Sequence, residues 1–193
     1  MSKDNGIAPA LILTLIVLIT TALLALTSSL TQAARDTQAI ALANANRQAV
    51  CPDATTFDPI DLTPYATEYP GISEAYTVRD TNGDLIAYLY RSASRGYAGD
   101  VPVLVAIDLN NTVIRVLPLE NDETPGLGKK IADDSYIRQY DNLDATQIYT
   151  VKPNETDKVL LDSIAGATIS SNAVTRAVNQ ANALHPAIAA EVK

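Results

Sequence analysis

Residues 5–34 carry no charged side chain, and within them residues 7–26 are apolar except for Pro9, Thr14, Thr20 and Thr21. A helix of about 20 apolar residues matches the roughly 30 Å hydrocarbon core of a bilayer. Threonine is tolerated there because its hydroxyl bonds back to the helix backbone. Two readings stay open, an uncleaved membrane anchor and a cleaved signal peptide. The length favours the anchor, since a signal peptide's apolar region is typically about 7–15 residues and only Lys3 supplies positive charge ahead of it. Small residues at positions 31–34 leave a cleavage site available. Lys3 on one side and Arg35 on the other give only a weak charge signal for orientation.

The chain beyond the span, about 150 residues, is a usual size for one domain with its own core. Lys3 and Asp4 cancel, so the whole net charge of −8 lies beyond the apolar run. An acidic domain argues against a nucleic-acid surface, which needs a basic patch, and against one lying on anionic lipid. Cys51 is the single cysteine, which excludes an internal disulfide, a paired-cysteine zinc site and an iron–sulfur ligand set. It is expected to be a buried small apolar residue. The single histidine, His185, precedes Pro186 at an expected helix end and reads as structural.

Residues 31–50 are rich in Ala, Gln and Asn and contain no Gly or Pro, so the helix is expected to continue as a stalk until Cys51-Pro52 stops it. This gives three segments: an anchor over 1–30, a helical stalk over 31–51 and an extracytoplasmic domain over 52–193. Four prolines in 52–73 suggest an extended or looped wrapping segment. Strand-like runs at 74–79 and 85–90 flank Asn82-Gly83, and runs at 101–107 and 113–117 flank Asn110-Asn111, predicting two hairpins. Gly96-Tyr97-Ala98-Gly99 between them reads as a flexible connection. A short helix is expected over 133–140, led by Asp133-Asp134, with Tyr136 and Tyr140 on one face. A short strand is expected near 159–161. A last helix over 172–184 carries the apolar stripe Ala173, Val174, Ala177, Val178, Ala181 and Leu184. The fold class is α+β: an antiparallel sheet with flanking helices, on an N-terminal transmembrane helix and stalk.

Residues 162–171 read DSIAGATISS, between a strand and an amphipathic helix. Ala165, Gly166 and Ala167 let another group approach the backbone closely. Thr168, Ser170 and Ser171 place hydroxyls just ahead of the helix, with Ser171 as the expected N-cap. Free N–H groups and the helix dipole there favour an anion such as phosphate. From the residues alone, a phosphate seat and a simple small-residue turn capping a helix are both open.

The stretch resembles the flavinylation motif D-x-x-[S/T]-G-A-T, through Asp162, Gly166, Ala167 and Thr168, with Ala165 where the family usually has Ser or Thr. The loop Glu123-Thr124-Pro125-Gly126-Leu127-Gly128 is similar to a second hallmark of the same FMN-binding domain. The order of span, G-Y-x-G segment, E-T-P-G-L-G loop, G-A-T motif and final helix resembles the G subunits of Rnf-type ion-translocating electron-transport complexes. The C subunits of the sodium-pumping NADH:quinone reductases (NqrC) are related. The resemblance covers nearly the whole chain.

It implies FMN held covalently through a phosphoester at Thr168, placed there by a separate, magnesium-dependent flavin transferase that uses FAD. Asp162 would serve transferase recognition or cap local N–H groups. Gly126 and Gly128 would turn backbone N–H groups towards the flavin, Leu127 would cover a ring face, and Lys129 or Lys130 would either offset negative charge or stand as solvated surface cations. Glu123 reads as structural, and Tyr97 as a stacking or a packing aromatic. The implied function is a redox subunit of an oxidoreductase translocase, not catalytic alone. It would pass electrons between partner subunits during ferredoxin/NAD electron transfer coupled to Na⁺ or H⁺ transport. The implied location is the inner (cytoplasmic) membrane, N-terminus inside and domain outside. An NqrC-type protein, or a tethered structural or sensory module without electron flux, are the competing readings.

Overall fold

The computed structural model describes residues 7–191, which divide between Ala45 and Asn46 into two units. Lys3, on which the orientation expectation leans, lies outside the described residues.

The first unit is the body of helix α1 (Ile7–Val50). The hydroxyls of Thr14, Thr20 and Thr27 donate to carbonyls four residues back, at 2.9, 2.9 and 2.8 Å, so none stays unpaired in an apolar surround. Large apolar side chains from Leu11 to Leu26 are 51–72% exposed, an uncovered apolar surface all round the helix. Among the described residues this is the one helix long and apolar enough to cross a membrane.

The second unit begins with the last turn of α1. Val50, Cys51 and Ala54 are buried against Val78, Ala87, Leu89, Leu104 and Ala106. Arg47 caps this contact: its guanidinium lies 4.3 Å from the ring centre of Tyr76 and 3.3 Å from Glu74, which also meets Arg91 at 2.7 Å. Burial, helped by nearby Asp53, pushes the Cys51 thiol up to about 12, which silences thiolate chemistry. Cys51 is therefore the small buried apolar residue expected.

Five strands form one antiparallel meander: β1 (Thr56–Pro59), β2 (Ile72–Arg79), β3 (Leu85–Arg95), β4 (Asp100–Asp108) and β5 (Val113–Pro118). Both expected hairpins are present. Asp80 Oδ1 accepts from the N–H groups of Asn82 and Asp84, and Asp108 Oδ1 from those of Asn110 and Thr112, so each turn carries its own side-chain brace. One expectation is corrected. The Gly96–Gly99 connection is a tight turn: Gly96 N–H donates to Gly99 C=O at 2.8 Å, and β3 and β4 stay paired to Arg95 and Asp100. Within the extended or looped segment 52–73 lies the edge strand β1, ending on Pro59, where a missing N–H costs no ladder bond.

The sheet is buried on both faces. Leu104 and Ala106 turn towards the α1 end, while Val101, Val103, Val105 and Ile107 turn to the other side. There lies helix α3 (Thr168–Glu191), whose expected stripe is fully buried, each of Ala173, Val174, Ala177, Val178, Ala181 and Leu184 at 0% exposure. Small residues in that stripe let the helix sit close on the sheet.

The helix bounds are corrected at both ends. It starts at Thr168, so Ser171 is not its N-cap; the Ser171 hydroxyl lies in the first turn and accepts Ile164 N–H at 3.0 Å. It also runs through Pro186, so His185 is inside the helix, because burial of Leu184 and Ile188 at 0% exposure holds the last turns on the core.

The expected helix over 133–140 is a chain of short turns: a 3-10 turn at Gly128–Ala132, α2 (Asp134–Ile137) and a 3-10 turn at Arg138–Tyr140. Tyr136 OH lies 3.2 Å from Tyr140 OH, which lies 2.9 Å from Thr175 Oγ1, tying this segment to α3. Asp133 stands at the N-cap of α2 without a side-chain capping bond. The expected strand near 159–161 is β7 (Val159–Leu160), paired in parallel with β6 (Tyr149–Thr150).

His185 supplies a pH test of this core. It is 2% exposed, its Nδ1 shares a hydrogen bond with Tyr90 OH at 2.8 Å, and the ring of Tyr88 stands edge-on to it. Burial pulls its pKa from 6.5 down to about 4, against the opposing pull of Asp108. The unfolded chain therefore binds a proton in this window that the folded chain refuses. Its contribution is full above pH 6.5 and is lost as the pH falls towards 4. The loss amounts to about 3 kcal/mol. Urea midpoints measured from pH 7 to 4 should fall less steeply in His185→Gln than in the wild type. Parallel curves for the two proteins would reject this account.

Candidate functional site

A cleft of about 520 Å³ opens where three segments meet: the β3–β4 turn, the loop after β5 and the start of α3. That volume lies within the roughly 300–1,000 Å³ usual for small-molecule sites. Its wall holds Tyr97, Glu123, Thr124, Leu127 and Gly128 on one side and Gly166, Ala167, Thr168, Ile169 and Ser170 on the other.

The loop is shaped from within by Glu123, which is 1% exposed. Its carboxylate accepts from Ala98 N–H at 3.0 Å and from the Ser170 hydroxyl, joining the β3–β4 turn to α3. Burial alone pushes this carboxyl up; the Ser170 hydroxyl and the N–H groups of Ala98, Tyr97 and Gly99 outweigh it and hold it below the usual range. The carboxylate needs glycine on both sides. A Cβ at Gly128 would lie 2.7 Å from Oε2, and one at Gly96 would lie 2.5 Å from Oε1. Thr124 C=O then accepts from Leu127 N–H at 3.2 Å and Lys129 N–H at 3.1 Å, rolling the loop over so that Leu127 faces outward.

Across the cleft, Gly166 takes φ of 78°, a left-handed conformation that a side chain would strain. This bend delivers Thr168 to the first position of α3. The first bond closed there is Ser171 N–H to Ala167 C=O at 2.9 Å, so the N–H groups of the opening turn are left to face the cleft or water. Such an end attracts an anion. Thr168 is exposed, whereas Ser170 is buried with its proton given to Glu123. Among the described residues of the second unit six large hydrophobic side chains are exposed, and three of them, Tyr97, Leu127 and Ile169, border this cleft. An anion seat beside apolar walls suits a ligand with a phosphate and a flat, greasy ring system. Among the described residues no group of acidic, His or Cys side chains is placed to hold a metal ion.

Comparison with known proteins bears on the same segments. Residues 96–183 match the family model of the FMN-binding domain, which takes in all three segments of the cleft. The chain is 36% identical over 96 residues to the G subunit of the proton-translocating ferredoxin:NAD(+) oxidoreductase complex of Clostridium ljungdahlii, covering 50% of this chain and 51% of that one. It is 29% identical over 180 residues to the G subunit of the Na(+)-translocating ferredoxin:NAD(+) oxidoreductase complex of Acetobacterium woodii, covering 88% of this chain and 86% of that one. The chain is similar to these G subunits.

The alignment with the Clostridium relative spans only about half of either protein, 50% and 51%. A solved structure, that of the C subunit of the Na(+)-translocating NADH-quinone reductase of Parabacteroides distasonis, superposes with a TM-score of 0.50 at 20% identity, over 65% of this chain and 66% of that one. That likeness establishes a shared fold.

In this chain the sequence motifs converge, but not every named residue reaches the cleft. Tyr97, Glu123, Thr124, Leu127, Gly128, Gly166, Ala167 and Thr168 line it. Gly126, Lys129, Ala165 and Ser171 do not. Lys129 instead pairs with Glu120 at 3.2 Å. Among the described residues the Asp162 carboxylate caps no N–H group. Only its backbone is engaged: Gln139 Oε1 accepts its N–H at 2.8 Å and Gln139 Nε2 donates to its C=O at 3.3 Å. Ile169 lines the cleft without having been singled out, and Ser170, one of the three hydroxyls noted near the helix start, lines it too. Ile169 had a readable signal, an isoleucine off the buried stripe of α3. The pairing of Ser170 with Glu123 had none, since the two are 47 residues apart in sequence.

Proposed function

We propose that this chain is the electron-relay subunit of a membrane-bound, ion-translocating ferredoxin:NAD oxidoreductase, carrying FMN as a phosphoester on Thr168. The observation that carries the proposal is the placement of Thr168: an exposed hydroxyl at an anion-attracting helix start, on the wall of a cleft with apolar sides. When bound, FMN supplies a redox-active ring. The chain's residues do the holding. N–H groups of the first turn of α3 receive the phosphate, Leu127 and Ile169 present apolar surface to the ring, and Tyr97 stands beside it.

Maturation falls to a separate, magnesium-dependent flavin transferase. It would join Thr168 Oγ to the flavin-bearing phosphorus of FAD; the pyrophosphate bond breaks, AMP leaves, and the hydroxyl proton is released. In this reading the chain supplies only the acceptor hydroxyl. Helix α1 would anchor the protein in the inner membrane, N-terminus in the cytoplasm and domain outside, beside the other subunits of the complex. A carrier fixed by a covalent bond stays in place in every redox state.

Intact-mass measurement of the protein from its native complex tests the proposal. The expected mass is that of the chain plus one FMN, localised by digestion to the peptide containing Thr168. A chain of unmodified mass from an active complex would overturn it.

A further inference from the structure

Glu123 is a buried carboxylate with no cationic partner: among the described residues no Lys or Arg pairs with it. An isolated buried charge is costly unless hydrogen bonds replace the lost water. Here the replacement is complete on both sides, from Ala98 N–H and the other N–H groups of the β3–β4 turn, and from the Ser170 hydroxyl in the first turn of α3. Its own N–H is held by Asn121 Oδ1 at 3.1 Å, which fixes where the side chain departs. A neutral side chain could bridge the two elements without the desolvation cost. The charge therefore calls for its own explanation, and the residue stands on the wall of the cleft.

We propose that Glu123 is a positioning residue of the flavin site with two effects: it ties the Tyr97 turn to the start of α3, and it places a fixed negative charge beside the bound ring that opposes the addition of electrons. The tie sets the width of the cleft, because Tyr97 belongs to one of the joined elements and Thr168 to the other. The charge acts through a low-dielectric wall, where an anion's field is poorly screened. The inference about charge rests on the reading of Thr168 as the flavin's attachment point; the inference about the tie does not.

Three variants of the full chain, produced with the flavin transferase, separate these effects. Glu123→Gln keeps the shape and removes the charge, and its flavin midpoint potential should move to a more positive value. Glu123→Asp keeps the charge and should hold the potential near the wild-type value. A purely structural residue would not order the variants by charge. Ser170→Ala keeps the charge and cuts the helix-side tie. It should leave the potential in place while hydrogen exchange at the Ala98 amide rises about tenfold, as the loss of one charge-assisted hydrogen bond implies.

A Glu123→Gln chain with the wild-type potential overturns the charge. Unchanged exchange at Ala98 in Ser170→Ala overturns the tie, and this measurement stands even if Glu123→Gln does not fold. A wild-type chain that takes no FMN overturns the Thr168 reading and the charge with it. Exchange in that same unmodified chain still decides the tie.

Discussion

Thr168→Val should lose the covalent flavin entirely while keeping the fold, and the mass of the chain should fall by one FMN relative to the wild type. Valine preserves the branched shape and removes only the oxygen. Thr168 is exposed and among the described residues its side chain makes no hydrogen bond, so the substitution should change stability by no more than about 0.5 kcal/mol. The neighbouring hydroxyl should not take over. Ser170 is 2% exposed and donates to Glu123, which leaves it neither accessible nor free to attack. Thr168→Ser, which keeps a hydroxyl at the same place, should restore modification. Ferredoxin-to-NAD turnover in an assembled complex carrying Thr168→Val should drop to background. Flavin fluorescence persisting on a denaturing gel of Thr168→Val would place the attachment elsewhere. Wild-type turnover in an assembled, flavin-free complex would instead reject the relay and leave a tethered interaction module.

The parts of this fold that were legible in the sequence are those specified by neighbours in the chain. Asn82-Gly83 and Asn110-Asn111 carry their turn geometry locally, with Gly83 at φ 85° and Asn111 at φ 61°. The stripe on α3 is visible because the helical period repeats over several turns. The parts that were not legible depend on distant partners. Ser171 looks like a cap by local rule, but its oxygen is taken by Ile164 N–H, and the helix begins earlier. Pro186 should end the helix by local rule, yet buried Ile188 beyond it keeps the helix going.

The cleft shows both kinds of information. Its two motifs lie far apart in sequence, and each could be recognised alone. That Glu123 of one motif accepts the hydroxyl of Ser170 beside the other is a tertiary fact with no local trace. Lys129 shows the reverse case. A cation next to a motif suggests a phosphate partner, but the side chain turns to Glu120.

Gly128→Ala should be the most damaging single-methyl change at this site, and its mechanism is steric. Gly128 is buried and opens the 3-10 turn at Gly128–Ala132. An added Cβ would stand 2.7 Å from Glu123 Oε2, 2.8 Å from Ser170 Oγ and 3.0 Å from Glu123 Cβ. The long side chain of Glu123 cannot swing aside. Oε2 is bound to Ser170, and on its other side the carboxylate abuts Gly96, where Oε1 already lies within 2.5 Å of where a Cβ would go. Relief requires breaking the Glu123–Ser170 contact or moving the loop off α3. Overpacking of this kind costs about 1–3 kcal/mol. In a domain of this size that lowers Tm by roughly 2–12 °C. The same displacement opens the cleft beside Thr168, so flavin incorporation should fall along with stability. Gly126→Ala is the matched control. A Cβ there meets nothing within 4 Å, although φ of 77° adds backbone strain. It should therefore cost stability without disturbing the Glu123 contact, and incorporation should stay close to that of the wild type. Equal incorporation in the two variants would mean that the fit around Glu123 does not govern the flavin site.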